Sequence, residues 1–193
     1  MKKRFIAAVS VFFLCSPAWA AMYEVDPAHS SVSFKIKHML SKTQGNFNKF
    51  SGTIDYEPGK PETWKAAGTI DAASIDTNND KRDAHLRSAD FFEVEKYPAI
   101  EFQTTGVKDV TDTTAKIEGV LKMHGVEKPV TLNAEILGVG NDPWGNTRAA
   151  FSAVMKLNRK DFGIEWNQAL DTGGFLLGEE VDVVLEIEAI LKK

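Results

Sequence analysis

Cysteine, basic tracts and long apolar runs are scarce in this sequence of 193 residues, and each scarcity removes a class of protein. The one cysteine, Cys15, falls in an N-terminal segment that we interpret as a leader. The rest of the chain therefore cannot form a disulfide, a thiolate nucleophile or a cysteine-ligated metal site. No basic run interleaved with aromatics occurs, and the formal net charge is −4, which argues against binding to nucleic acid or to anionic membrane surfaces.

Linkers and repeated apolar segments are also missing. Only one apolar run stands out, at residues 5–14, and no Gly/Ser-rich or low-complexity stretch divides the rest of the chain. One domain, held together by burial of its own core, is the simplest organisation for a chain of this length.

The first twenty residues have the organisation of a secretory signal peptide. Lys2, Lys3 and Arg4 precede the apolar run, which is too short to span a bilayer, and Ala18 and Ala20 are the small residues that a signal peptidase requires. Phe12 and Phe13, which precede Leu14 and Cys15, stand in place of the small residues of a lipidation site, so we do not expect a lipoprotein.

We predict a signal peptide over residues 1–20, cleavage after Ala20 or Ala21, and export to the periplasm. One domain then occupies residues 21–193. Its net charge becomes −7, because the leader carries three basic residues and no acidic ones.

After the leader, apolar and polar residues alternate with period two in about eight segments, which is typical of strands with one buried face. His124-Gly125 is predicted as a hairpin turn, and Asp142–Gly145 as a turn with proline second and glycine fourth. A change of parity at residues 50–52 predicts a β-bulge.

Eight antiparallel strands avoid exposed edges by closing into a barrel, and a β-sandwich is the architectural alternative. We therefore predict an all-β fold, an eight-stranded antiparallel barrel. A barrel of this size either fills its interior with side chains or holds one small ligand. The alternation is compatible with both interiors. Two classes of protein therefore remain possible: a structural or interaction protein with a filled barrel, and a protein that binds a ligand.

Residues 76–98 interrupt the alternation with helix signals, and predict a short helical insertion between strands 3 and 4. One of the residues 77–79 can cap the helix, and Asp83 lies four residues before Arg87, at ion-pair spacing. We expect Arg87 to be a structural arginine that pairs with Asp83 or Asp90. The insertion covers one end of the barrel and places Phe91 and Phe92 at its mouth.

Two enzymatic interpretations have to be considered: a hydrolase triad on the same segment, and a metal site formed by the histidines. Asp83, His85 and Ser88 are the residue types of a hydrolase triad, but they crowd within six positions and no G-x-S-x-G elbow accompanies them. The four histidines have no metal-binding spacing such as H-E-x-x-H. We expect no catalytic residue, no metal site and no enzyme.

Several motifs in fixed order resemble those of the YceI-like family. They are DPAHSSVSFKIKHM (26–39), RDAHLRSADFFEVEKYP (82–98), LKMHGVEKPV (121–130), DPWGNTR (142–148) and RKDFGIEWNQALDTGG (159–174). The resemblance covers nearly all of the chain after the leader. It implies a lipocalin-like barrel whose hydrophobic tunnel holds a polyisoprenoid or a similar long amphiphile, such as an isoprenoid quinone or a fatty amide-like lipid, with no cofactor besides that lipid.

The resemblance also implies that a homodimer can form and that an inner-membrane electron-transfer protein can be a partner. Parity along the strands selects wall residues, although each is equally expected as ordinary core; they are Phe34, Ile36, Phe102, Ile117, Leu121, Leu132 and Phe151. The expected mouth residues are Phe91, Phe92 and Trp166.

Overall fold

The computed structural model describes residues 21–171 and 173–192, so the predicted signal peptide lies outside the described residues. Within these residues, one α-helix, α1 (Asp80–Arg87), accompanies eleven strands. The strands are β1 (Ala21–Val25), β2 (Ser31–His38), β3 (Ser41–Phe47), β4 (Phe50–Tyr56), β5 (Lys65–Asp71), β6 (Ile75–Asp76), β7 (Ala99–Lys108), β8 (Thr114–Met123), β9 (Val126–Asn141), β10 (Thr147–Asn158) and β11 (Leu177–Leu191).

Eight of these strands close into an antiparallel barrel. The hydrogen-bonded order is β1-β4-β5-β7-β8-β9-β10-β11, and β11 pairs again with β1 through Tyr23↔Leu191, Glu24↔Ile190 and Val25↔Ala189. Every pairing in the ring is antiparallel. The eight-stranded antiparallel barrel predicted from the alternation is therefore confirmed.

The other three strands form a branch on one side of the barrel. β11 pairs with β1 near its C-terminus but with β2 between Val181 and Glu186, and β2 continues through β3 to the short β6. β1 and β2 therefore pair with successive parts of the same strand, β11, and a turn at residues 26–30 separates them. The branch therefore prolongs the wall that β1 and β4 form.

The predicted bulge near Phe50 is wrong, because the chain breaks there into two strands. β3 ends at Phe47, which pairs with Ile75 of β6, whereas Phe50 pairs with Ile70 of β5. Asn48 and Lys49 carry the chain from one neighbour to the other. The change of parity in the sequence marks this change of partner.

Both predicted turns are confirmed. His124 and Gly125 have φ angles of 52° and 76°, the paired positive values of a type I′ hairpin turn between β8 and β9. The Gly145 N–H donates to the Asp142 carbonyl at 3.1 Å in the turn between β9 and β10.

Helix α1 lies between β6 and β7, which corresponds to the insertion predicted between strands 3 and 4. Two apolar clusters, one at the α1 end and one at the other end, form the core. The first includes Phe47, Ile75 and Phe162; the second includes Tyr56 and Trp64. In the part of the chain that the structure describes, no helix has the length and apolar character needed to cross a membrane.

Candidate functional site

Helix α1 is fixed over its end of the barrel by polar contacts at both of its ends. The Asn79 side chain accepts from the Arg82 N–H at 3.0 Å and caps the first turn. Arg87 in the last turn donates from Nε to the Ala73 carbonyl at 2.7 Å and from Nη2 to the Ile75 carbonyl at 2.6 Å. These contacts connect the helix to the chain just before and within β6.

The ion pairs expected for Arg87 are wrong. Asp83 is 5% exposed and accepts hydrogen bonds from the Thr77 N–H and hydroxyl, and Asp90 lies 2.8 Å from His85 Nε2. Arg87 is a structural arginine, but it binds backbone carbonyls. Helical spacing indicates which side chains share a face of the helix. It does not show that the segment before the helix folds back and contacts both Asp83 and Arg87.

The three residue types of a hydrolase triad on this segment do not assemble into one. The Ser88 hydroxyl donates to the His85 backbone carbonyl at 2.7 Å, the His85 ring faces Asp90, and Asp83 faces Thr77. A triad needs serine, imidazole and carboxylate in a chain of hydrogen bonds, and here each has another partner.

An ion-pair network that the sequence did not reveal holds together three separate segments. Arg148 Nη1 lies 2.8 Å from Asp26 and 2.6 Å from Glu188, and its Nε lies 2.8 Å from Asp142. The Arg148 hydrogen bond, followed by that of His29, lowers the pKa of Asp26 to about 2. Asp26, His29 and Glu188 are close enough to hold a metal ion, but the guanidinium of Arg148 donates to two of them.

Between the two core clusters the barrel encloses apolar space. A cavity of about 420 Å³ lies at the α1 end, and one of about 200 Å³ lies toward the other end. The two cavities, together called the tunnel, are neighbours, because seven side chains border both of them. These seven, called the constriction, are Val32, Ile70, Ile100, Phe102, Leu121, Leu132 and Leu185. Side chains therefore do not fill the interior.

All ten predicted wall and mouth residues line this space. Five border the larger cavity, namely Phe34, Ile36, Phe91, Phe92 and Trp166. Ile117 and Phe151 border the smaller one, and Phe102, Leu121 and Leu132 lie at the constriction. Their contact with a bound lipid stays a prediction.

The residues predicted at the mouth of the barrel are less exposed to solvent than a position at an opening would suggest. Phe91 is 5% exposed, and its ring centroid lies 5.2 Å from that of Trp166 and 5.0 Å from the His85 ring. Phe92 meets Phe47 edge to face at 5.8 Å. These rings form a packed wall beneath α1, with the tunnel on its inner side.

Two glycines make room for aromatic rings in the tunnel. A Cβ atom at Gly119 would lie 2.3 Å from the Phe102 ring, and one at Gly45 would lie 2.4 Å from the Phe34 ring. Each ring therefore occupies the space that a side chain on the neighbouring strand would fill. At Gly119 this lets the ring of Phe102, which borders both cavities, lie against the adjacent strand of the wall.

Basic residues line the larger cavity, and sequence reasoning did not select them for this role. They are His38, Lys81, Arg82, His85 and Arg159. Arg159 is 3% exposed; its Nε and Nη1 donate to the carbonyls of Gly178 and Ile164, and burial lowers its pKa. The RKDFGIEW motif contains Arg159, but no sequence pattern indicated that it would border the cavity.

An antiparallel eight-stranded barrel closed around an apolar tunnel, with a helix at one end, defines a lipocalin-like binding barrel. A family model described as the YceI-like domain matches residues 23–189, and the chain belongs to the YceI-like family.

Relatives of similar length share this chain's sequence from end to end. A UPF0312 protein of Pseudomonas paraeruginosa is 41% identical over 196 residues, covering 98% of this chain and 99% of its own. A UPF0312 protein of Vibrio cholerae is 37% identical over 197 residues and is covered completely, as is this chain.

Solved structures show the same architecture. BcnA of Burkholderia cenocepacia superimposes with a TM-score of 0.76 at 26% identity, covering 86% of this chain and 99% of that one. A YCEI protein of Campylobacter jejuni gives 0.71 at 34% identity, covering 82% and 91%. A domain from Saccharophagus degradans, described as polyisoprenoid binding, gives 0.68 at 16% identity, covering 90% and 99%, and its likeness is one of fold.

Proposed function

We propose that this protein binds a polyisoprenoid or a similar long-chain amphiphile inside its barrel, in the periplasm after export. One observation carries the proposal: most of the surface that lines both cavities is apolar, and so are all seven side chains of the constriction. Apolar surface removed from water contributes roughly 25 cal/mol per Å², so an enclosed long tail would supply ample affinity without a covalent bond.

The shape of the tunnel favours a long chain over a compact ligand. Two cavities in succession, joined at a constriction, suit a flexible tail that threads from one into the other. A solved neighbour of the same fold is described as a polyisoprenoid-binding domain, so a polyisoprenoid is the first ligand to test. Isoprenoid quinones and fatty amide-like lipids are the next.

The biological role that we propose is transport, storage or sensing of this lipid. A homodimer and an inner-membrane electron-transfer protein as partner belong to the same proposal. Export has a direct check: protein recovered from the periplasm should have the mass of a chain that begins at Ala21 or Met22.

Mass spectrometry tests the binding itself. The protein is purified without detergent, and native spectra are compared with those of an organic extract of the same sample. We expect a bound amphiphile in the native spectrum and its free form in the extract. Apo mass alone, together with no uptake of polyprenol, isoprenoid quinone or fatty amide on titration, would refute the proposal.

A pair of neighbouring substitutions tests where the tail lies. Ala153 on β10 borders the smaller cavity, whereas Val154 is 45% exposed on the outer face of the same strand. Ala153→Phe should block the smaller cavity, so that long tails bind at least ten-fold more weakly while short ones keep their affinity. Val154→Phe is the control, and equal long-tail binding by the two variants would place the tail elsewhere.

A further inference from the structure

The ionisable residues that border the larger cavity are all basic. They are the five residues His38, Lys81, Arg82, His85 and Arg159, and none of the described lining residues is an aspartate or glutamate. This bias runs against the composition of the chain, in which 27 aspartates and glutamates outnumber 23 lysines and arginines, because three of the five are lysine or arginine and none is acidic. A local excess of positive charge in an acidic protein is a property of the site.

These basic residues lie at one end of the tunnel. His38 is the last residue of β2, and Lys81, Arg82 and His85 are on α1. Arg159 begins the turn that follows β10. The smaller cavity lies beyond the constriction, so a tail that reaches it leaves its head group at the α1 end.

Four of the five basic side chains form no ion pair among the described residues. His85 lies 2.8 Å from Asp90, but among the described residues no carboxylate lies within ion-pair distance of Lys81, Arg82 or Arg159. Arg82 donates to the hydroxyl and the carbonyl of Thr77, which are uncharged. Asp83, one residue further along, is occupied by Thr77.

Lys81 is the residue best placed to meet a head group. It borders the cavity, is exposed on the first turn of α1 and forms no ion pair with the described residues. Arg159 acts differently, because its Nη2 is buried without a hydrogen-bond partner among the described residues. We expect Arg159 to contribute positive potential from beneath the mouth, with Lys81 and Arg82 making the contacts.

We infer that the amphiphile held by this barrel carries an anionic head group, a phosphate or a carboxylate, and that Lys81 and Arg82 bind it. The inference rests on the proposed function and names the class of its ligand. Opposite charges at a site bordered by an apolar wall attract more strongly than in bulk water, since fewer waters screen them. Neutral heads, such as alcohols and amides, gain no such attraction.

Matched ligand pairs test this inference by calorimetric titration at pH 7.5. One pair is geranylgeranyl monophosphate and geranylgeraniol; the other is oleate and oleamide. Within each pair the tail is the same, so the difference in affinity reports the head group alone. We expect the anionic member of at least one pair to bind ten-fold or more tightly at low salt, with the ratio narrowing as salt screens the charges. Which pair shows the larger ratio distinguishes a phosphate from a carboxylate ligand.

A charge-reversal variant assigns the effect to the mouth. Lys81→Glu should reduce the preference for the anionic ligand to two-fold or less; the preference is a ratio of two affinities of the same variant, so an equal loss of affinity for both ligands does not change it. Lys128→Glu is the control, because Lys128 is exposed on β9 and does not border either cavity. The same change of net charge there should keep the preference.

The outcomes separate the inference from the proposed function. Equal affinities within both pairs, or an unchanged preference in Lys81→Glu, would overturn the anionic head group and leave a lipid-binding barrel. Failure of all four ligands to bind the parent protein would overturn both.

Discussion

At the scale of the residue, the tunnel depends on glycines as much as on aromatics. The ring of Phe102, which borders both cavities, lies over Gly119 on the adjacent strand β8, because the glycine presents no side chain to it. The same relation holds between Phe34 and Gly45. The bore of the tunnel is therefore set by pairs of residues on neighbouring strands.

Gly119→Ala should destabilise the barrel, because the added Cβ would lie 2.3 Å from the Phe102 ring and would force it to move. We expect a loss of about 1–3 kcal/mol in the free energy of unfolding, measured by urea denaturation. Gly68→Ala is the control, since the nearest atom to its added Cβ would be 3.6 Å away. Equal losses in the two variants would show that Phe102 does not constrain Gly119.

Sequence alternation identified the wall residues because inward and outward side chains alternate along a strand by geometry. Phe102 and Phe151 border the tunnel for this reason. The same reasoning could not find Arg159 at the cavity or pair Arg148 with Asp26, because those contacts depend on where distant turns meet. Parity is a local property, whereas ion pairing between segments is a property of the closed fold.

At the scale of the element, interrupted strands shape the mouth. At the breaks between β1 and β2 and between β3 and β4, one part of the chain belongs to the ring and the other part belongs to the branch, whose strand β6 contacts α1. Eight strands could be counted from the sequence because each interrupted stretch keeps its apolar residues close together. The breaks could not be placed, because they follow from a change of neighbour.

Arg148 holds the first of these breaks to the turn between β9 and β10, and the network should fail in acid. Hydrogen bonds from Arg148 lower the pKa values of Asp26 and Asp142, so both carboxyls ionise more readily in the folded protein. Their contribution to stability is therefore present above about pH 5 and is lost as the pH falls toward about 2.

Arg148→Met should lower stability at pH 7 and at pH 5 by similar amounts, and the difference from the parent should shrink at pH 3. The measurement is the free energy of unfolding in urea at each pH. Lys156→Met, which removes exposed ion pairs with Glu180 and Asp182, is the control and should have a smaller effect at pH 7. A difference that stays constant with pH would contradict the role given to the two carboxyls.

At the scale of the whole molecule, the ligand and the barrel should stabilise one another. The two cavities are bordered by residues of all eight strands in the ring, so a bound tail contacts the sheet around its circumference. Any ligand that binds only the folded state shifts the unfolding equilibrium in favour of that state.

Delipidated protein should therefore melt at a lower temperature than the protein as purified, and adding back the extracted lipid should restore the melting temperature. At a free lipid concentration about 100 times its Kd the gain is about 2.7 kcal/mol, and each kcal/mol raises the melting temperature by about 2–4 °C in a protein of this size. Differential scanning calorimetry measures the shift. An unchanged melting temperature on re-addition would contradict binding inside the barrel, and the Ala153→Phe variant should respond less.

The seam between β1 and β11 has a consequence for how the chain comes to be folded. Its three paired positions join the two ends of the described sequence, and contacts between such distant residues form slowly because a long loop must close first. Because the chain is synthesised from its N-terminus, the other strands of the ring are made before β11. The ring cannot close before the fifteen residues of β11 have been made. Until that moment the sheet is open and has unpaired edge strands. Such strands are the parts of a sheet most prone to associate with other chains. The last strand to be made thus ends the interval in which a newly made copy is exposed to aggregation.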